Sequence, residues 1–156
     1  MQSYDYAHRT GVKEISWEEF AQLSMTLTEK LAARGIEVVV GIARAGLFPA
    51  TAVACALRCE FFPIRLSRRV NDQVSFTHPV WRVDVSPVVE GKVVAVVDEI
   101  VDTGETLALV AERVKEMRAV EVVTASLVSH SWANPAADND MIKINDVITR
   151  NVVSSK

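Results

Sequence analysis

The sequence predicts an α/β domain with a mainly parallel central sheet flanked by helices. Two observations predict this fold class. A run of strand length, a loop of small residues and a helix follow one another twice, over 37–57 and 92–117, as is typical of a parallel sheet. The run at 92–97 is also continuously apolar, as expected of a strand buried on both faces. Ligands in such folds bind beyond the carboxyl ends of the strands, so the loops 43–46 and 98–106 are the candidate site.

The first helix is predicted to begin after Ser16, because Glu19 follows at the spacing of a capping box. Apolar residues continue at helical spacing to Leu31, and Gly35 is a natural stop beyond the helix end. Pro63 interrupts a later strand and indicates an edge or a bulge. The remaining predicted elements are a strand, a helix, a strand, a polar stretch typical of a functional lid, a strand, a helix and two strands, over 37–42, 50–57, 60–66, 67–87, 92–97, 105–117, 121–128 and 141–148.

Length and composition limit the class of protein. With 156 residues the chain is expected to form one domain, and 49% hydrophobic and 24% charged residues are typical of a soluble globular protein. A net charge of -3 gives no support for a nucleic-acid or membrane partner. The polar start lacks a signal-peptide pattern, and no apolar run has membrane-spanning length. Cys55 and Cys59 suggest two buried thiols on one helix face in a reducing compartment, so a cytoplasmic protein is expected.

Carboxylates and hydroxyl residues are concentrated in 98–106, directly after the apolar strand. Asp98 and Glu99 come first, and Asp102 opens the run that ends at Thr106. A helix N-terminus with a glycine and threonine hydroxyls suits a phosphate, because backbone N–H groups and the helix dipole favour an anion. Carboxylates repel phosphate but suit sugar hydroxyls or a divalent cation. The pattern therefore predicts a ligand with both a phosphate and a diol; the alternative is that the acids only cap the helix.

The segment 93–107 resembles the phosphoribosyl pyrophosphate (PRPP) signature of type I phosphoribosyltransferases, and is most similar to that of the 6-oxopurine enzymes. The resemblance covers 16–135 and leaves a divergent tail at 136–156. It implies a single phosphoribosyltransferase domain over 1–156, with a mobile hood loop.

By this resemblance, the two adjacent acids meet the sugar. Asp98 and Glu99 would bind the ribose 2′ and 3′ hydroxyls and Mg²⁺, the metal either directly or indirectly. The 5′-phosphate would be held by the loop that follows, at Asp102, Thr103, Gly104, Glu105 and Thr106.

The loop after the first strand resembles the family's pyrophosphate loop. In it, Arg44, Ala45 and Gly46 would receive the departing pyrophosphate, with Arg44 as a fixed cation. The family usually has glycine where this chain has Ala45, and often a non-proline cis peptide, which would fall at Ala43–Arg44. From the residues alone, a plain helix start after a buried strand explains this loop equally well.

The resemblance also bears on the acceptor base. In relatives that use 6-oxopurines an aspartate stands at the position of Asp102, so Asp102 is the predicted catalytic residue, which manages the proton of the base. Arg68 and Arg69 fall in the predicted hood, and His130 and Trp132 in the predicted base pocket. The alternatives are a solvated basic loop for the arginines and a surface position at a strand end for His130.

The expected reaction is transfer of the phosphoribosyl group from PRPP to a 6-oxopurine, with Mg²⁺ as cofactor and with PRPP and a purine base as ligands. A non-catalytic PRPP or nucleotide sensor on the same fold is the alternative, and Ala45 and the divergent tail favour it. An enzyme for another heterocycle or an amine is a third interpretation. The resemblance implies a homodimer or a higher homo-oligomer.

Overall fold

In a computed structural model, the protein is described over residues 14–71 and 73–129 and over the backbone of 142–143. The helices are α1 (Trp17–Ala32), α2 (Leu47–Leu57) and α3 (Glu105–Glu116), with a short 3-10 helix at Pro87–Val89. The strands are β1 (Val38–Ile42), β2 (Glu60–Ser67), β3 (Arg69–Val70), β4 (Gln73–Val74), β5 (Val80–Val83), β6 (Val93–Val101), β7 (Glu121–Ser129) and β8 (Ile142–Lys143). Each helix and strand that the sequence predicts has a counterpart, although several differ in length.

Six strands form one sheet in the order β5-β2-β1-β6-β7-β8, and all neighbouring pairs are parallel except β2 with β5. Successive residues of the central strand β6 enter different core layers. Ala95 and Val97 join the layer that includes residues of α1 and α2, whereas Val94 and Val96 join the layer that includes residues of α3. The predicted fold class, a mainly parallel sheet with helices on both sides, is therefore confirmed.

The capping box at the start of α1 is formed as predicted. Ser16 Oγ accepts a hydrogen bond from the Glu19 N–H at 3.1 Å, and the Glu19 carboxylate accepts one from the Ser16 N–H at 2.9 Å. Gly35 follows the helix end with φ +65°, a left-handed conformation that glycine adopts without strain. Among the described residues, no helix is long and apolar enough to cross a membrane.

The polar stretch after β2 contains more regular structure than the sequence predicts. The short strands β3 and β4 form an antiparallel hairpin, and β5 pairs antiparallel with β2. The β2–β5 pairing shifts register between Arg65 and Leu66, and Pro63 precedes the part of β2 that pairs with β5. The proline thus lies beside both an edge and an irregularity, as expected. Composition did not reveal these strands because main-chain pairing defines them, within a short hairpin for β3 and β4 and across a longer loop for β5.

The two cysteines do not form the buried pair that the sequence suggested. Cys55 is exposed on α2, and Cys59 lies half-buried beyond the helix end at Leu57. Both are free thiols. The prediction was wrong because an alanine-rich composition does not show which face of a helix the rest of the protein covers.

Gly41 in β1 is expected to tolerate no side chain. A Cβ there would lie 2.8 Å from Ala50 Cβ and 2.8 Å from Phe61 Cε2, which is too close for two carbon atoms. We expect Gly41→Ala to lower the free energy of unfolding by about 1–3 kcal/mol, as overpacking does in other cores. Urea unfolding measures this loss. Adding Ala50→Gly should recover part of it, so a double variant with fully additive losses would contradict the overpacking.

Candidate functional site

Asp98 and Glu99, the acidic pair predicted to meet a sugar, lie near the carboxyl end of β6. The sequence predicted that this strand ends at Val97, but it continues to Val101 because β7 runs beside it as far as Ser129. The pair is therefore held by strand pairing rather than by a loop. Both residues are half-buried.

Burial dominates the electrostatics of Asp98. Loss of water contact raises the pKa of its carboxyl to about 7. A hydrogen bond from the Glu99 N–H, at 2.8 Å to Asp98 Oδ1, opposes this rise, and repulsion from the Glu99 carboxylate adds to it. At neutral pH the carboxyl is thus poised between its charged and neutral forms. A ligand that brings hydrogen-bond donors or positive charge favours the charged form, so ligand binding and deprotonation of Asp98 are coupled.

Residues 102–104 form the turn from β6 into α3, and Glu105 and Thr106 begin the helix, as predicted. Gly104 is the N-cap residue, with φ +86°, and its left-handed conformation suits glycine. Thr103 Oγ1 accepts a hydrogen bond from the Glu105 N–H at 3.3 Å, which stabilises the turn. The amides of the first helical turn have no acceptor within the helix. This end of α3 therefore offers donors and a positive dipole to an anion.

The turn from β1 into α2 contains the second predicted loop. Its Ala43–Arg44 peptide is cis, as the resemblance implied. The Arg44 carbonyl oxygen accepts a hydrogen bond from the Leu47 N–H, and the Ala45 carbonyl oxygen accepts one from the Phe48 N–H, each at 3.2 Å. These bonds tie the loop to the first turn of α2. Arg44 and Ala45 are both exposed, so a cation is accessible at this edge of the sheet.

The loop at 43–46 meets the end of β6 at Gly46 and Asp98. A Cβ on Gly46 would lie 2.8 Å from Asp98 Oδ1, 3.0 Å from Asp98 Cα and 2.5 Å from the carbonyl oxygen of Ile42. The Gly46 backbone therefore packs directly against the acidic residue, with no space for a side chain between them. This contact joins the predicted pyrophosphate loop to the predicted ribose site.

Two residues beside these loops were not predicted from the sequence. Ser126 is fully buried and pairs in register with Asp98, and its hydroxyl has no hydrogen-bond partner among the residues that the structure describes. Polar residues at alternate positions of an apolar strand, Thr124 and Ser126, were the available signal. His78 Nδ1 lies 3.8 Å from Glu105 Oε1 and brings the stretch after β4 to the start of α3. No sequence pattern indicates the contact between His78 and Glu105.

Arg68 and Arg69, the predicted hood cations, lie at the start of the β3–β4 hairpin. Arg69 is exposed and Arg68 is half-buried. The Arg68 carbonyl oxygen accepts hydrogen bonds from two backbone N–H groups that follow β4, and these bonds close the hairpin. The predicted base contacts, His130 and Trp132, lie outside the described residues.

The fold and the site together define an α/β protein whose parallel sheet presents an acidic pair and two anion-suited turns at its carboxyl edge. A model of the phosphoribosyl transferase domain family matches residues 11–154. The chain belongs to this family, and the resemblance to type I phosphoribosyltransferases is thereby confirmed.

Solved structures share the fold. A purine phosphoribosyltransferase from Pyrococcus horikoshii is 27% identical with a TM-score of 0.71, over 83% of this chain and 84% of that chain. The xanthine-guanine-hypoxanthine phosphoribosyltransferase of Helicobacter pylori is 20% identical with a TM-score of 0.64, over 90% of this chain and 97% of that chain. The adenine phosphoribosyltransferase of Saccharomyces cerevisiae is 17% identical with a TM-score of 0.65, over 82% and 78%. A comparison with the curated proteins found no match.

Proposed function

We propose that this protein transfers the 5-phosphoribosyl group of PRPP to a purine base, forming a purine nucleoside 5′-monophosphate and releasing pyrophosphate. The observation that carries the proposal is the contact between Gly46 and Asp98. Through it, the loop suited to pyrophosphate lies beside the acid suited to ribose, as a substrate that contains both groups requires. The similarity to the purine phosphoribosyltransferase of Pyrococcus horikoshii supports a purine as the acceptor.

The turn at 102–106 and the acidic pair are proposed to fix the sugar at its two ends. The N-terminus of α3 and the hydroxyls of Thr103 and Thr106 would hold the 5′-phosphate. The carboxylates of Asp98 and Glu99 would accept hydrogen bonds from the ribose hydroxyls. With both ends held, C1 of the ribose is presented to the base in one orientation, which removes much of the entropic cost of reaction.

The acidic pair also fits a magnesium ion that is held together with the substrate. Within 14–71 and 73–129, no group of three or more His, Cys, Asp or Glu side chains could hold a metal ion by itself. In phosphate-binding sites, Mg²⁺ uses one or two carboxylates and takes its other ligands from water and substrate oxygens. Asp98 and Glu99 offer such a pair, directly or indirectly. The ion would supply charge neutralisation for the leaving pyrophosphate.

Charged residues at the end of β6 and in the loop at 43–46 are proposed to stabilise the transition state. When the bond from C1 to the pyrophosphate oxygen breaks, the electron pair leaves with the pyrophosphate and positive charge develops on the ribose ring. The Asp98 and Glu99 carboxylates would face the ribose, and the guanidinium of the exposed residue Arg44 would face the leaving group. Arg44, Ala45 and Gly46 would then bind the released pyrophosphate.

The stretch between β2 and β5 is the proposed hood. Its closure over the site would exclude water from the charged transition state. Arg68 and Arg69 would contact pyrophosphate in the closed form. The pair formed by His78 and Glu105 already connects this stretch to the turn proposed to bind phosphate, which supports a hood at this place.

We propose a 6-oxopurine as the acceptor, and this choice rests on Asp102. The residue is half-buried between the acidic pair and the start of α3. A carboxylate there can accept or share the purine N7 proton, which changes position as N9 becomes glycosylated. His130 and Trp132 are the proposed contacts for the rest of the base.

Asp102→Asn is expected to lower the turnover of 6-oxopurines by about 10²–10⁴-fold, because an amide cannot accept the base proton as a carboxylate does. Nucleotide formation from hypoxanthine, guanine and xanthine measures the loss, with adenine as the comparison base. Glu112→Gln, at an exposed position of α3, is the matched control and should keep full activity. Unchanged turnover of 6-oxopurines in Asp102→Asn would contradict the role assigned to Asp102. Faster turnover of adenine than of the 6-oxopurines by the wild-type protein would exclude 6-oxopurine selectivity.

A PRPP or nucleotide sensor without catalysis is the second candidate function. Ala45 favours it, because the family usually has glycine at this position and the extra methyl group lies where the pyrophosphate loop must approach its ligand. Calorimetry separates the two functions when it is combined with product analysis. A sensor binds PRPP with Mg²⁺ but forms no nucleotide, whereas an enzyme does both.

A further inference from the structure

A hydroxyl group is buried beside the acidic pair. Ser126 in β7 is fully buried, and its Oγ has no hydrogen-bond partner within 14–71 and 73–129. A buried hydroxyl that makes no hydrogen bond is destabilising, because it has lost its bonds to water. Alanine would fill almost the same space without this cost. An unpaired buried hydroxyl in a strand therefore needs an explanation other than stability.

Ser126 lies on the same face of the sheet as Asp98. The two residues are partners in the parallel pairing of β6 with β7. In β6, Val96 joins the core layer that includes residues of α3, and alternation places Asp98, two positions later, on the same side. In β7, Ala125 and Leu127 join the opposite layer, so Ser126 between them lies on the α3 side as well. The side chains of Ser126 and Asp98 are therefore neighbours across the two strands.

The Asp98 carboxylate can accept a further hydrogen bond. Its Oδ1 accepts one from the Glu99 N–H at 2.8 Å, and a carboxylate has about four lone-pair positions. Adjacent strands lie about 4.8 Å apart, so a serine hydroxyl and an aspartate carboxylate at paired positions meet after rotation about their side-chain bonds. Of the other side chains on this face, Val96 is apolar and Thr124 lies two residues, or about 6.6 Å, along β7 from Ser126. Among the described residues, strand register thus offers Asp98 as the acceptor for Ser126.

We propose that Ser126 is a positioning residue, whose hydroxyl donates to the Asp98 carboxylate and fixes it towards the ribose of PRPP. This role rests on the proposed contact between Asp98 and the ribose. Gly46 packs against Asp98 on the β1 side, and Ser126 lies on the β7 side, so the carboxylate is confined between the two neighbouring strands. A carboxylate that is already held does not have to be ordered when the ribose binds, and this strengthens binding. Ser126 itself does not contact the ligand, because it is fully buried.

Calorimetric titration of the full chain with PRPP and Mg²⁺ tests the inference. Ser126→Ala should raise the dissociation constant of PRPP by about tenfold, because a hydrogen bond to a charged group is lost. Ser24→Ala is the matched control and should leave the affinity for PRPP unchanged. Ser24 is likewise buried, without a partner for its Oγ in the described part of the chain, but it lies in α1, which packs in the opposite core layer. An unchanged affinity in Ser126→Ala would overturn the inference.

A second ligand and a double variant separate positioning from packing. Pyrophosphate with Mg²⁺ lacks the ribose, so Ser126→Ala should bind it as tightly as the wild type does. In Asp98→Ala the hydroxyl has no carboxylate to fix, so the addition of Ser126→Ala should change the dissociation constant of PRPP by less than about twofold. If Ser126→Ala weakened the binding of pyrophosphate and PRPP equally, or weakened PRPP binding equally with and without the Asp98 carboxylate, Ser126 would act through packing and the inference would fail.

Binding and nucleotide formation, measured on the same samples, distinguish a failure of this inference from a failure of the proposed transfer. Wild-type protein that binds PRPP but forms no nucleotide would contradict the transfer, whereas the role of Ser126 would still be decided by the PRPP affinities. If the wild type forms nucleotide and Ser126→Ala binds PRPP equally tightly, the transfer stands and the inference fails. Wild-type protein that binds no PRPP would overturn both.

Discussion

Gly46→Ala is expected to lower phosphoribosyl transfer by at least about 100-fold, because a displacement of about 1 Å in a reaction site can cost that much. The new methyl group would lie 2.5 Å from the Ile42 carbonyl oxygen and 2.8 Å from Asp98 Oδ1. One of its neighbours is the Ile42 backbone in the same turn and another is the proposed ribose ligand, so relief requires this turn to distort and to move away from Asp98. We also expect the free energy of unfolding to fall by about 1–3 kcal/mol. Steady-state kinetics with PRPP and urea unfolding measure the two effects.

Gly35→Ala is the control for the Gly46 prediction. Gly35 has φ +65°, and an added Cβ would meet nothing within 4 Å. Its replacement should cost about 1–2 kcal/mol of stability through the left-handed backbone alone, with unchanged activity. If Gly46→Ala kept wild-type kcat/KM for PRPP, the contact between Gly46 and Asp98 would not matter for transfer.

Asp98→Asn is expected to change activity and stability in opposite directions. Transfer should fall by about 10²–10³-fold, because the amide cannot supply the negative charge that faces the ribose. Stability above pH 7 should rise, because the variant no longer buries a charge. Kinetics at saturating PRPP and urea unfolding at several pH values measure the two effects on the same samples.

The pH dependence of the Asp98 effect follows from its pKa. The ordinary value is 3.8 and the folded value is about 7, so the folded state binds the proton more tightly than the unfolded state. The wild-type protein therefore loses stability as the pH rises from about 4 to about 7. At roughly 1.4 kcal/mol for each unit of pKa, the gain of Asp98→Asn at pH 8 has an upper limit of about 4 kcal/mol. If the stability difference between Asp98→Asn and the wild type were equal at pH 4 and pH 8, this would contradict a raised pKa of the Asp98 carboxyl in the folded protein.

Asp84→Asn is expected to change the stability at neutral pH in the opposite direction to Asp98→Asn. Hydrogen bonds from Arg113 to the Asp84 carboxylate, at 3.0 and 2.6 Å, hold the pKa of this carboxyl below its ordinary value. The pair stabilises the fold above the ordinary pKa of the carboxyl, and this contribution is lost as the pH falls through the lowered value. Both side chains are well exposed, so Asp84→Asn should lower stability at neutral pH only slightly and should leave transfer unchanged.

Local signals in the sequence predicted most of the fold. The Ser16 and Glu19 capping box is a contact between residues three apart, so the spacing was enough to predict it. The end of β6 at Val101 depends on β7 running beside it, and periodicity within one segment does not contain that information. The exposure of Cys55 depends in the same way on what the rest of the protein leaves uncovered.

In the candidate site, too, the local features were predicted from the sequence, whereas the contacts between separate segments were not. The acids, the glycine and the hydroxyl residues of 98–106 are consecutive, so their chemistry was readable from the sequence. The contact of Gly46 with Asp98 joins the loop after β1 to the end of β6, and it follows only from the parallel pairing of these two strands. The buried Ser126 hydroxyl and the His78–Glu105 pair likewise depend on strand register and on the path of the stretch after β4.

Pyrophosphate release tests the central claim most directly. The full chain is incubated with PRPP and Mg²⁺, and separately with hypoxanthine, guanine, xanthine, adenine, uracil and orotate, while free pyrophosphate is followed over time. We expect release that depends on a purine, fastest with a 6-oxopurine, together with an equal amount of the nucleoside 5′-monophosphate. No release with any of the six bases, by protein that binds PRPP in calorimetry, would contradict transfer to a purine base and would leave the sensor and the enzyme for another acceptor as the remaining interpretations.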